Sequence, residues 1–414
     1  MAYYDEVIEP LQWIVLAIQR AGMLVDRELI THYRQECEAK QSKITELLEE
    51  ALGYPFNPNS SKQVIEVLEK DLGLNLNQSK KGVSSDELSL LKAGIEVPEA
   101  KPIIQLILAY RDLGKKKGTY LRPVVWSDGR VRSQFRLYGT VTWRLSSRDP
   151  DLQNLPRSAT HGINIKDIYI APPGFVLAEL DYSALEDRIP AYASGCATLI
   201  EMFEKGQNTH LYRASIIFGR PITDKHKQAA EYNFSKRFVY SRNYGASLAA
   251  VADKLLVDTG EWHPVSELKP MAERLDAGIP ELLAWRNRCW AECEKTGILH
   301  DGFGVPRVLY SAPGERRQVA YSWPTQATAS GIMNRAMVRI DRAKRQGHLL
   351  PSTRCICQVH DSLVFEVQED SSTSELAKLK ELMETPVRVF GREVKFPVEA
   401  KLGRSWGSME EFKP

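Results

Sequence analysis

From residue 11 to 117 the apolar positions recur every three or four residues. Leu11, Ile14, Val15 and Ile18 share a face, as do Ile44, Leu47 and Leu48, then Val64, Val67 and Leu68, then Ile104, Ile107 and Leu108. That spacing predicts a mostly α-helical first module. Gly53-Tyr54-Pro55-Phe56-Asn57-Pro58 interrupts it, and the run 75–85 is too polar for a core and reads as a mobile tip. Over 123–138 the period changes: Val124-Val125-Trp126, a Ser127-Asp128-Gly129 turn, then alternation from Val131 to Phe135 predict strands. An apolar strand is expected over 175–181, ending at Asp181, followed by helical patterning from 184 to about 295. The last third combines a long helix over 325–345 with a strand pair, 355–359 and 363–367, joined by His360-Asp361-Ser362. The fold class is α+β, an antiparallel sheet flanked by two helical modules.

With 414 residues, 43% of them hydrophobic, the chain can bury a large core divided among two or three domains or subdomains. The formal charge of +2 conceals basic clusters at Lys80-Lys81, at Lys115-Lys116-Lys117, and within 130–148 and 225–242. Such local basic faces suit a polyanionic partner. The six cysteines include no CxxC pair, and Cys355 and Cys357 are expected on one face of a strand. That argues against structural zinc or a disulfide framework and fits a reducing compartment. Asp5, Glu6 and Glu9 stand where a signal peptide would be cationic, and no apolar run reaches about 20 residues. A cytoplasmic protein with no membrane partner is expected.

Asp181 and Asp361 each terminate an apolar strand, and one sheet can bring both ends to one edge. Carboxylates from separate segments are what a pair of divalent ions about 3.5–4 Å apart requires. Taken alone, Asp181 is equally well explained as a turn residue and Asp361 better explained as one; the pairing of the two lowers that reading. Ser183 and Glu186 have the spacing of a capping box, so a helix is expected to start there, with Glu186 as its cap. Lys236, Tyr240 and Tyr244, at i, i+4 and i+8, fall on one helix face, with Gly245 as a stop. Aromatic stripes usually mean core; the lysine on this one suits a surface meeting an anion and flat rings, as a nucleoside triphosphate presents.

Four segments in order resemble the family A DNA polymerases, the group containing bacterial DNA polymerase I. They are Thr142-Trp143-Arg144-Leu145-Ser146-Ser147-Arg148 with Gln153-Asn154-Leu155-Pro156, Asp181-Tyr182-Ser183, Lys236 to Gly245, and Gln358-Val359-His360-Asp361. The similarity extends over essentially the whole chain, to Lys401-Leu402-Gly403 and Trp406. The resemblance implies a right-hand polymerase fold, with thumb at 1–120, palm at 121–200 and 300–414, and fingers at 201–299. It implies template-directed extension of a DNA primer with dNTPs and release of pyrophosphate, by a monomer. Asp181 and Asp361, with the Tyr182 carbonyl, would hold two magnesium ions, with manganese as a substitute. Lys236 would contact the triphosphate and protonate pyrophosphate, His210 would lie on a phosphate, and Tyr244 would stack near the templating position. Arg144, Gln326 and His360 would touch the primer terminus and minor groove, and Gln153 and Asn154 would help hold the duplex.

The departures from the family pattern are specific. Tyr232 stands where arginine is usual, with Lys225 or Lys227 as candidate substitutes; Trp143 stands where glycine is usual. Ser362 replaces the usual glutamate and occurs instead in single-subunit RNA polymerases. Glu186 argues for deoxynucleotides, because a glutamate packed beside the sugar would exclude a 2′-OH. Tyr240 sits where the family carries phenylalanine or tyrosine, and its hydroxyl predicts ready use of dideoxynucleotides. Residues 1–120 contain no Asp-x-Glu exonuclease motif followed by acidic clusters, so no proofreading or 5′ nuclease is expected in this polypeptide. A degenerate polymerase that only binds primer-template is disfavoured by the joint presence of Asp181, Asp361 and Lys236.

Overall fold

Five antiparallel strands form the principal sheet: β1 (Phe175–Tyr182), β2 (Arg354–Val359), β3 (Ser362–Gln368), β4 (Val398–Gly403) and β5 (Glu410–Glu411), in the spatial order β2-β3-β1-β4-β5. The computed structural model describes residues 3–73, 78–79, 82–156, 158–310 and 313–412. Alternation along a strand sends successive side chains to opposite faces. Ala178, Leu180 and Tyr182 of β1 therefore join Leu363, Phe365, Val398 and Ala400 on one face, and all are buried. Helices Glu9–Ala21 and Ser372–Met383 lie against this side, and helix Pro313–Arg345 packs on both. Each fully buried leucine or phenylalanine here contributes about 1.5–3 kcal/mol.

The opposite face carries Glu179, Asp181, Glu366, Glu399 and Lys401. Glu366 is fully buried and neutralised by three charge-assisted bonds. Arg130 donates to both of its oxygens at 2.7 and 3.1 Å, and Arg354 donates at 2.8 Å. Removing one partner from a buried pair of this kind is costly because the other charge is stranded.

The chain divides into two compact units. One comprises residues 1–30, 122–207 and 280–414 and contains the sheet; the other comprises 31–121 and 208–279 and is mainly helical. The helical unit has a core of Leu48, Phe56, Val64, Val67, Leu68, Leu90, Ile104 and Ile107; the helical period placed Leu48, Val64, Val67, Leu68, Ile104 and Ile107 on inner faces but not Phe56 or Leu90, and Leu47, expected beside Leu48, is exposed. Within that unit, helix Glu87–Glu96 packs on helix Leu248–Thr259, where Lys92 pairs with Asp253 at 2.6 Å and lies over the Trp262 ring.

Several local expectations are corrected. The long helix begins at Pro313 rather than 325 and runs through Pro324. An interior proline leaves the carbonyl four residues earlier without its ladder partner and crowds it; four residues on, the Thr328 hydroxyl donates back to the Pro324 carbonyl at 2.6 Å. A bulge in β2 pairs Cys355 with Phe365 and Cys357 with Val364, so the two cysteines point to opposite faces instead of one. All six cysteines are free. Lys116 is not part of a basic face, for its side chain is buried and bound to Asp112 at 2.9 Å; Arg130 is internal as well. In the polar tip, Gln78–Ser79 pairs with Gly82–Val83, while 74–77 and Lys80-Lys81 lie outside the described residues. Among the described residues no helix is long and apolar enough to cross a membrane.

Candidate active site

The two aspartates meet at one end of the sheet. Asp181 lies in register between Ser362 on β3 and Glu399 on β4. One residue further on, the Tyr182 N–H donates to the Asp361 carbonyl at 3.0 Å, and the Ser183 N–H donates to the Pro397 carbonyl at 2.9 Å. The main chain thus laces the strand end to both neighbours. Asp361 occupies a two-residue loop between β2 and β3, preceded by His360 at φ +54°. A left-handed residue there matches the mirror-image turns that suit hairpin twist, although glycine would adopt it with less strain. Surrounding protein desolvates the Asp181 carboxyl, whose outer edge stays open to solvent, and Asp361, Glu179 and Glu399 add like charge. Together they push its pKa up to about 8, against the pull of Lys401.

That electrostatic crowding is the test of whether a divalent cation fits. Clustered carboxylates that hold protons above their ordinary range have charge to spare for a cation. Among the described residues, no three His, Cys, Asp or Glu side chains form a metal-holding group. Magnesium requires no such cage, since it binds through one or two carboxylates plus substrate phosphates and water. Two aspartates on one strand edge meet that requirement. The Tyr182 side chain turns to the buried face, where its hydroxyl donates to the Met383 carbonyl at 2.7 Å, leaving only its main chain for an ion.

Around the pair, Arg144 forms an ion pair with Glu186 and lies within electrostatic reach of Asp361, while its burial lowers its own pKa. The expected capping box is absent. Helix Leu185–Ser194 is entered through Ala184 at φ +51° with no side-chain cap, and the Ser183 hydroxyl donates to Glu399 at 2.8 Å. Glu186 is thereby released for Arg144. Gln153 is buried, and its amide donates to the Gln358 side-chain oxygen at 2.8 Å; Gln358 in turn donates to the His360 carbonyl at 2.6 Å. This relay braces the loop that carries Asp361. Asn154 is exposed and bound to Asp151 at 2.7 Å, and Gln326 is half-buried on the long helix. Ser362 donates to Glu179 at 3.1 Å.

In the helical unit, helix Ala229–Asn243 buries Phe234, Ser235, Phe238 and Val239 and leaves Lys236 exposed. Tyr240 and Tyr244 are half-buried. The stripe is therefore not the core face, and the helix stops at Gly245, φ +73°. Lys236 makes no ion pair among the described residues, whereas Arg237 faces Asp258 at 3.7 Å and Arg242 binds Asp276 at 3.0 Å. The His210 ring lies 5.9 Å from Tyr240 and 6.1 Å from Tyr232. Tyr232 thus fills the usual arginine position with a ring packed edge-on against His210.

A family model described as DNA polymerase family A matches residues 27–408. The chain belongs to that family. The thermostable DNA polymerase I of Thermus thermophilus is 32% identical over 422 residues, covering 99% of this chain and 48% of that protein. The DNA polymerase I of Pseudomonas aeruginosa is 30% identical over 410 residues, covering 96% and 43%. The chain spans about half the length of these relatives. The polymerase domain of Pol1 from M. smegmatis, solved in complex with DNA primer-template and dNTP, matches with a TM-score of 0.87 at 27% identity, over 97% of this chain and 70% of that one.

Within the family frame, the left-handed Trp143, φ +62°, accounts for the glycine usual there. The indole packs against a cluster containing Cys293, Leu299 and Trp323, and its carbonyl accepts from Asn334 at 3.2 Å. Glu399, flanking Asp181, escaped the sequence reading, and Gln358 was named only as part of the segment ending at Asp361, without its role in supporting that loop. Glu399 lies more than 200 residues from its neighbour in the chain, and only sheet register reveals it.

Proposed function

We propose that this chain is a DNA-directed DNA polymerase that extends a DNA primer with dNTPs by two-metal nucleotidyl transfer, as a monomer with thumb, palm and fingers lobes. The observation that carries this reading is the adjacency of Asp181 and Asp361, held by the Tyr182 N–H bond to the Asp361 carbonyl. These two carboxylates, with the Tyr182 carbonyl, would hold magnesium or manganese. Bound ions of this kind activate the attacking hydroxyl and neutralise the leaving phosphate.

The chain's own groups do the rest. Lys236, exposed and without an ion pair, binds the triphosphate and supplies a proton to departing pyrophosphate. His210 and Tyr240 lie together, so a phosphate contact and a ring beside the sugar come from one cluster. Tyr244 stacks near the templating base. Glu186, pinned by Arg144, presents a fixed wall to a sugar 2′-OH. Arg144, Gln326 and His360 meet the primer end, while Asn154, backed by Gln153, holds the duplex through backbone and shape rather than sequence.

Primer extension with each nucleotide type tests the reading. Asp181→Ala should abolish extension and spare primer-template binding; loss of both, or of neither, defeats the assignment. Ser362 keeps one alternative in play, an RNA-making enzyme, and efficient rNTP use by the purified chain would select it. Tyr240→Phe should reduce dideoxynucleotide incorporation, and a mismatched primer should survive incubation undigested.

A further inference from the structure

On the face of the sheet turned away from the Asp181 side chain, a cavity of about 220 Å3 is enclosed by three elements. These are helix Glu9–Ala21, through Ile14 and Ile18, helix Pro313–Arg345, through Met337 and Ile340, and the strand pair β2–β3, through Leu363 and Phe365. Protein interiors tolerate few voids larger than a water molecule. A dry apolar space of about 150 Å3 already admits benzene, so this one can hold a ring with a short substituent.

One part of the lining is polar: Asp341, Lys344, Thr353 and Arg354. The carboxylate in this lining, Asp341, is already matched by Arg345 at 2.6 Å, and Arg354 reaches to Glu366 on the other face of the sheet. Glu375 accepts from Thr353 and Leu350 and pairs with Lys378 at 2.9 Å. Lys344 is different. Half-buried, it donates to the Thr353 carbonyl but has no carboxylate within ion-pairing distance among the described residues. Burial and the nearby Arg354 lower its pKa, against the weaker pull of Asp341 and Glu375. An apolar chamber bordered by a cation with no carboxylate within ion-pairing distance has the complement of an amphiphile with one negative end.

We propose that this cavity is a binding site for a small amphiphilic anion, its apolar body against Ile18, Met337 and Phe365 and its anionic group on Lys344. The walls include Leu363 and Phe365 of β3, the strand that begins immediately after Asp361, so an occupant would rest against the strand supporting the catalytic loop.

Indole-3-acetate, neutral indole and cationic tryptamine, titrated calorimetrically into the full chain, test the proposal. The acid is expected to saturate at millimolar concentration or below and to bind at least tenfold more tightly than indole, with tryptamine weakest. Lys344→Gln should remove that tenfold preference while the free protein melts within a few degrees of wild type. Ala21→Phe, which fills the chamber, should abolish binding of both acid and indole. The methyl resonance of Met337 should shift with the acid in wild type, a readout that stands even if the filled variant does not fold. Equal affinity for acid and indole, an unchanged preference in Lys344→Gln, or no saturable binding would overturn it.

Discussion

At the end of the sheet Asp181 sits between Ser362 and Glu399, with main-chain bonds fixing the two residues that follow it, whereas Lys236 stands exposed on a helix with no ion pair among the described residues. In the first region position is set by strand register, and the chemistry is stored as crowded negative charge. In the second, a buried face of Phe234 and Phe238 fixes the helix and leaves its polar stripe to be met by a ligand. A site that must hold ions benefits from rigidity of the first kind. A site that binds a new substrate each cycle needs groups without internal partners.

The largest effect should come from breaking the rigid region. Asp181→Ala or Asp361→Ala removes several kcal/mol of transition-state stabilisation, roughly 10^3-fold or more in kcat, with primer-template affinity little changed. Substitution in the open region should cost less. On the proposed function Lys236→Ala loses a proton donor and phosphate contact, about 10^2-fold, the lower end for general acid catalysis, and Lys236→Arg, keeping charge, should recover the nucleotide KM before kcat. Single-turnover kinetics separates the two; equal losses at both sites would erase the contrast.

Gln153 tests whether rigidity is transmitted. Gln153→Leu leaves the Gln358 side-chain oxygen beneath the Asp361 loop without its donor and should destabilise the protein by about 1–3 kcal/mol. If the relay positions Asp361, kcat falls with the KM for nucleotide unchanged. A rise in KM for DNA with kcat intact would mean that Gln153 acts on the duplex instead.

How far the sequence reached differs between the regions for a physical reason. Asp181, Asp361 and the Lys236 stripe were legible because strand ends and helical spacing are local. Most of the core of the helical unit was legible through the same period. Glu399 and the role of Gln358 were not, since the neighbours of both are created by pairing between distant segments. Ser183 with Glu186 matched a capping box, yet tertiary partners Glu399 and Arg144 outcompeted the local cap. The bulge that separates Cys355 from Cys357 adds one residue against β3 and leaves no compositional mark.

The stored charge also predicts a pH dependence. The folded pKa of Asp181, about 8, lies above its ordinary 3.8. Between those values the folded, metal-free protein holds a proton that the unfolded chain lacks. This contribution to stability is fully present below about pH 4 and is lost as pH rises through 8. A divalent ion binds the ionised pair, so the Tm gain on adding magnesium should grow from pH 5 to pH 8. Asp181→Asn should flatten the metal-free slope, and an unchanged slope would remove Asp181 as its source.

The smallest effects should reveal how each region treats backbone strain. Left-handed backbone costs a non-glycine residue about 1–2 kcal/mol, and glycine gives back about 0.5–1 kcal/mol of chain entropy. Ala184, at φ +51° just beyond β1, carries that strain. The lysine–tyrosine helix has its left-handed residue at the other end, just past its C-terminus, and there it is Gly245, at φ +73°. Ala184→Gly should therefore raise stability by less than about 1 kcal/mol, while Gly245→Ala should lower it by about as much or somewhat more. Denaturant melts of the two variants measure both. If both lose stability, packing rather than strain governs Ala184, and the sheet end is rigid because of its neighbours and not its backbone.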